Sequence, residues 1–151
     1  MAQKMVTKEI EDAINKTPYR SQDGKKLDAK VIARYFGGPI TTYVLEGYQL
    51  EGETWDGDSV FGLQSIGYGF EYGSIPLKEL FETGYYVDFM GKRMKMPIER
   101  DTSVEPLKMT LGECAAMYGE KLPAFLYKKD DEDGAADGDE AEDASKDNAN
   151  A

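Results

Sequence analysis

Apolar residues recur along this chain at two different spacings, and the changes of spacing mark its elements. In "TKEIEDAINK", Ile10, Ala13 and Ile14 fall at i, i+3 and i+4, which places all three on one face of a helix. Thr7 stands at the N-cap, acids fill the first turn and Lys16 closes the last, as the helix dipole favours. "TPYRSQDGKK" reads as loop, with Asp23-Gly24 as its turn signal. "LDAKVIARYF" predicts a strand, with Val31, Ala33 and Tyr35 on one side and Ile32 and Phe36 on the other; Gly37-Gly38-Pro39 ends it. "TTYVLEGYQL", "VFGLQSIG" and "FEYGSI" predict three more strands from their β-branched and aromatic residues. Pro76 fits the first turn of a second helix, where its missing N–H costs little. Leu77, Leu80 and Phe81 form that helix's stripe and Gly84 its stop. "YYVDFM" and "RMKMPIE" predict a hairpin across Gly91-Lys92. Thr110 and Glu113 form the T-x-x-E pattern of a capping box ahead of "CAAMYGEK".

The short connections do not allow parallel crossovers, so the strands pair mostly antiparallel. The expected fold class is α+β: a mostly antiparallel sheet of about five to six strands, packed by two or three short helices. This domain covers residues 1–128. Residues 129–151 differ in kind. The chain of 151 residues has a formal net charge of −11, but residues 1–129 carry 17 Lys/Arg against 19 Asp/Glu, a net of −2. Residues 130–151 carry one Lys against ten acids, a net of −9. Among those acids are Asp130, Asp131, Glu132, Asp133, Asp137, Asp139, Glu140, Glu142 and Asp143. The segment has no Leu, Ile, Val or aromatic residue. It cannot bury enough apolar surface to offset roughly 1–2 kcal/mol of backbone entropy per residue, and is expected to be disordered.

The absence of histidine removes Ser-His-Asp and Cys-His catalysis and histidine metal sites. The single cysteine, Cys114, leaves no intrachain disulfide or thiolate cluster, and suits a reducing compartment. It is expected to be a small buried hydrophobe on the last helix. No cofactor or metal is expected. With no signal-peptide pattern and no run of about 18 apolar residues, a cytoplasmic protein without a membrane span is expected.

Four segments were weighed for chemistry. Gly67, Gly69 and Gly73 do not match the G-x-G-x-x-G phosphate fingerprint, because the third glycine is one position late, and no Gly-Lys-Ser/Thr is present; they read as turn glycines. Tyr68, Phe70 and Tyr72 recur at i, i+2, i+4, so as a strand they share one face. Such a face either packs on a helix or stacks single-stranded bases. Trp55 lies in "WDGDS", where Val60 and Phe61 stand in place of the third acid and glycine of a calcium loop. Glu99, Arg100 and Asp101 form a charged run inside the apolar frame of "MPIERDTSVEP", either a salt-bridged corner or a polar binding spot. These seven residues, Trp55, Tyr68, Phe70, Tyr72, Glu99, Arg100 and Asp101, are the candidate interaction surface. No catalytic residues are assigned.

"VFGLQSIGYGFEYGSIPLKEL" followed by "MPIERDTSVEP" resembles the bacterial, plasmid and phage family called domain of unknown function 2958. The resembling positions are Thr7–Ile10, Leu27–Phe36, Phe61–Leu63, Glu71–Leu80 and Glu99–Pro106, spread over most of residues 5–115. Two departures stand out: Pro76 replaces the Ser usual at that helix start, and the acidic segment is an addition. The resemblance implies an accessory product of mobile elements and carries over no catalytic residues. The expected function is a non-enzymatic interaction module whose acidic segment engages a basic host or mobile-element protein, inhibiting a nucleic-acid-handling partner. The alternative is a single-stranded DNA-binding protein with an acidic regulatory tail, and the third reading a carboxylate-based hydrolase.

Overall fold

The computed structural model describes residues 3–128. The acidic residues from Asp130 to Asp143 lie outside the described residues. Helix α1 (Lys8–Lys16) begins as the sequence predicts, with the Thr7 hydroxyl accepting the Ile10 N–H at 3.2 Å. Four antiparallel strands follow: β1 (Ala33–Gly37), β2 (Ile40–Gly47), β3 (Ser59–Ser65) and β4 (Glu71–Pro76). Helix α2 (Leu77–Thr83) leads to the hairpin β5 (Tyr85–Phe89) and β6 (Lys92–Met96). The short strand β7 (Glu99–Arg100) and helix α3 (Leu111–Tyr118) complete the set. The main sheet has the order β4-β3-β2-β1-β7, and β5-β6 forms a separate two-stranded sheet. The fold is α+β.

Both faces of the main sheet are covered. Ile10, Ala13 and Ile14 of α1 and Leu77 and Leu80 of α2 pack with Tyr35, Val44, Val60 and Ile75 on one face. On the other face Tyr43, Leu45 and Leu63 meet Leu111, Cys114 and Ala115 of α3, with Leu122 and Leu126. The capping box starts α3 as expected: Thr110 accepts the Glu113 N–H at 3.1 Å, and Glu113 accepts the Thr110 N–H at 2.9 Å.

Three predicted elements are corrected. "LDAKVIARYF" is not one strand. Residues Lys26–Asp28 form a 3-10 turn, and β1 starts only at Ala33. The backbone of the intervening residues is committed elsewhere: Val31 donates to Met109 O (2.9 Å), Leu107 donates to Val31 O (2.8 Å) and Leu111 donates to Ala29 O (2.7 Å). The hairpin turn lies at Met90-Gly91, one residue earlier than predicted. Both have positive φ, 50° and 80°, the pair that a primed two-residue turn needs. Pro76 precedes its helix in extended geometry, at the N-cap rather than inside the first turn.

Strand β2 carries a bulge. Val44 pairs with Gly62, but Glu46 pairs with Phe61, so Leu45 is the extra residue. Gly62 is obligatory opposite it, because a Cβ there would collide with the Tyr43 carbonyl oxygen.

Leu80 is buried between α2 and the sheet. Leu80→Ala should destabilise the fold by about 2–5 kcal/mol, the usual effect of emptying a buried leucine site. Urea melts of both proteins measure it; a change below about 0.5 kcal/mol would place Leu80 outside the core.

Candidate functional site

The seven candidate residues do not gather on one surface. Trp55 is 7% exposed. Its indole N–H donates to Ser59 O at 2.8 Å, and its backbone N–H to Asn15 Oδ1 at 2.9 Å; it is a core anchor in the loop before β3. Tyr68, 93% exposed, lies in the turn between β3 and β4 and lines an open cleft of about 290 Å³ with Ile66 and Tyr72. Phe70 packs over Tyr43 with centroids 5.7 Å apart. Tyr72 stacks on Phe61 at 5.8 Å with ring planes 7° apart. The i, i+2, i+4 alternation fails because Gly67 and Gly69 both take positive φ, 114° and 117°, and strand geometry starts only at Glu71.

The charged run also diverges. Glu99 is exposed on β7. Arg100 is tied to the N-terminal segment, its Nε donating to Lys4 O and its backbone N–H to Gln3 Oε1, both at 2.7 Å. Asp101 is 7% exposed and faces inward.

There Asp101 belongs to a buried cluster that the sequence did not disclose. Arg34, on β1, donates from one terminal nitrogen to Asp101 Oδ2 at 3.1 Å and from the other to Glu120 Oε2 at 2.8 Å. Tyr118 donates its hydroxyl to Asp101, and Tyr43 donates to Glu120. The Tyr118 ring covers the guanidinium, 3.8 Å from Cζ to centroid. Burial is the largest single influence on Arg34 and opposes its charge. The hydrogen bonds and charges of Glu120 and Tyr43 outweigh it, so the group stays firmly protonated. Burial, with Glu120 beside it, pushes the Tyr43 hydroxyl well above the ordinary phenol range. Both carboxylates are thus occupied in mutual pairing. Cys114 lies in the core beside them, its thiol pushed up to about 11 chiefly by burial, so it stays a neutral thiol.

A second feature opens to solvent. A cleft of about 280 Å³ is walled by Phe61, Tyr72 and Phe125. Its floor is formed by Leu45 and Glu46, both presented to it by the bulge. Glu46 is 3% exposed. Its two oxygens accept the backbone N–H groups of Arg20 and Gln22, each at 2.7 Å. Asp23 and Lys26 stand at the rim. Asp23 is bridged by Arg20 Nε at 2.7 Å, and Lys26 Nζ donates to Lys128 O at 3.0 Å. The signal for Glu46 in the sequence is an acid inside the apolar run "YVLEGY".

Among the described residues, no group of three or more His, Cys, Asp or Glu side chains is arranged to hold a metal ion, and no helix is long and apolar enough to cross a membrane. Comparison with models of protein families, with curated proteins and with solved structures gives no match.

Two outcomes follow from these sites. Arg34→Met should destabilise the fold by about 3–5 kcal/mol, because it leaves Asp101 and Glu120 buried without their cation; urea melts at pH 7 measure it. Glu46 is held above the ordinary carboxylate range, mainly by burial and further by Asp23, although its two backbone donors pull the other way. A carboxyl raised in the folded state contributes its stability below its unfolded pKa, near about 4.3, and loses it as pH rises through the folded value. The stability of the native protein minus that of Glu46→Gln should therefore become more positive as pH falls from 7 toward 4.5. Urea midpoints measured in parallel at each pH test this, and an unchanged difference would mean that burial does not govern Glu46.

Proposed function

We propose that this chain is a non-enzymatic accessory protein of a phage or plasmid that acts as a protein-interaction module, its acidic C-terminal segment engaging a basic surface on a nucleic-acid-handling partner. The mobile-element assignment rests on the resemblance of residues 5–115. One observation carries the interaction reading. Lys128, where the acidic segment begins, is held at the mouth of the cleft by Lys26, and Phe125 from the same turn forms a cleft wall. A basic surface drawn in by ten acids therefore meets the exposed Phe125 and Tyr72 rings at the segment's root. Rings and carboxylates together suit the cationic side chains that such a surface presents. The single-strand reading draws less support, since Phe70 packs against Tyr43 and the Tyr72 ring is already stacked on Phe61, which leaves only Tyr68 fully presented to solvent of the three.

Fluorescence anisotropy with a labelled Lys/Arg-rich peptide and a labelled single-stranded oligonucleotide separates the readings. The native chain should bind the peptide, and binding should weaken as salt shortens the screening length below about 8 Å. Replacing the acids of residues 130–143 by their amides should abolish it. Phe125→Ala should weaken it about two- to five-fold, the worth of a cation–ring contact of roughly 0.5–1 kcal/mol. Micromolar or tighter oligonucleotide binding by the amide-substituted chain, without peptide binding by the native chain, would overturn the proposal in favour of single-strand binding.

A further inference from the structure

The main sheet ends at β4, and no strand among the described residues pairs with its outer side. The phase of the ladder fixes which backbone groups face outward. Leu77 donates to Asp58 O and Tyr48, just after β2, donates to Ser59 O, both at 3.1 Å. Ser59 therefore turns its backbone toward β2, and its partner Pro76 stands in a pair without mutual bonds. Hydrogen-bonded and non-bonded pairs alternate along an antiparallel ladder. Ile75 and Gly73 thus bond to Val60 and Gly62 of β3, while Tyr72 and Ser74 turn their N–H and C=O groups outward. Pro76 falls on the same outward phase, where a residue without an N–H is tolerated. The cleft of about 290 Å³ lies along this edge, lined by Ile66, Tyr68, Tyr72, Gly73, Ser74 and Ile75. Nothing inside the protein requires glycine at position 73: its φ is not positive, and a Cβ there would meet nothing within 4 Å. Glycine weakens a strand interior; here the missing side chain keeps the cleft open.

We propose that the β4 edge takes an extended segment of the basic partner as an added strand, an inference that rests on the interaction reading of the acidic segment. Outward N–H and C=O groups on residues two apart match an extended backbone and not a helix. Alternate side chains of an added strand point to opposite faces. One set passes over Tyr72 and Phe125, whose ring centroids lie 6.1 Å apart, and the other over Gly73 and Ile75 in the cleft. Charge selects the partner. Glu71 is the one charged side chain among the described residues lining the cleft. On the Phe125 side, Asp23 and Glu46 balance Arg20 and Lys26 in number, so the attraction there comes from the ten acids that follow Lys128. Phe125 belongs to the 3-10 turn just before them. A second copy on this edge would instead bring together two segments of net −9, which repel.

Fluorescence anisotropy of the full chain with a labelled octapeptide of alternating lysine and valine tests this. The native chain should bind it. Ser74→Pro removes an N–H that β3 does not use and should raise the dissociation constant at least about tenfold, equivalent to about 1.4 kcal/mol. Gly73→Val has open space for its side chain and suits a strand; by filling the cleft it should weaken binding to a similar degree. Urea melts check that both variants fold. On the native chain, two further peptides carry backbone N-methyl groups on every lysine or on every valine. Both keep their charges, and one of the two should lose binding because its outward donors are blocked. Hydrogen exchange at Tyr72 and Ser74 should slow when the unmodified peptide binds. Binding that survives all of these changes would overturn the added strand and leave the acidic-segment reading in place, whereas a native chain that does not bind the peptide would overturn both. A chain that is dimeric without peptide and monomeric as Ser74→Pro would assign the edge to a second copy.

Discussion

A guanidinium placed between a sheet and the helix covering it must be neutralised where it sits. Arg34 imposes that condition on two separate parts of this protein. Asp101 follows immediately after β7, so the edge strand ends where its neighbouring carboxylate can turn inward. Glu120 follows Gly119, which ends α3 in the left-handed conformation with φ 64°; without that reversal the chain could not bring a second carboxylate back over the sheet. Tyr118, in the last turn of α3, closes the cluster from outside. The outer edge of the sheet and the end of α3 are thus positioned by one charge. Ion clusters of this sort favour one arrangement more than they add net stability, since desolvation offsets most of the attraction.

Local chemistry was legible in the sequence, and long-range chemistry was not. The caps at Thr7 and Thr110, the Leu77 and Leu80 stripe and the turn glycines depend on neighbours within four residues. Arg34 finds its partners 67 and 86 positions away, and no local pattern announces that. Residues 29–32 were read as strand because they alternate and are β-branched. The backbones of Ala29 and Val31 nevertheless bond to residues 107–111, which include the positive φ of Leu107, 62°, and Lys30 bonds to the Gln22 side chain. Trp55 looked like a surface aromatic because acids and glycines surround it, yet its indole N–H has a backbone carbonyl to satisfy it inside. The cleft remained hidden for a different reason: it depends on one bulged residue, and a bulge leaves no periodic trace.

The distribution of charge and apolar surface separates the molecule into parts with different tasks. The body is nearly neutral and turns its strongest charges inward. Its Lys92, Arg93 and Lys95 project on a hairpin attached chiefly through one tyrosine ring, while the acids are gathered in sequence after Lys128. The exposed side chains of the hairpin stand outside both core clusters, whereas the cleft shares Leu45 and Leu126 with the core.

The bulge in β2 also limits how the length of this chain can vary. Loss of the single extra residue at Leu45 would restore a regular strand and keep its partners. It would also take Leu45 out of the core on the α3 side and its carbonyl away from Gln22, which donates to it at 2.7 Å, and would flatten the strand at Glu46, on which the Arg20 and Gln22 N–H groups hang. A one-residue deletion there removes a core side chain and a buried hydrogen-bond acceptor, whereas a deletion of the same size in the exposed turn at Gly52 removes only solvated chain. Insertions and deletions in this architecture should accordingly collect in its turns and spare the middle of β2.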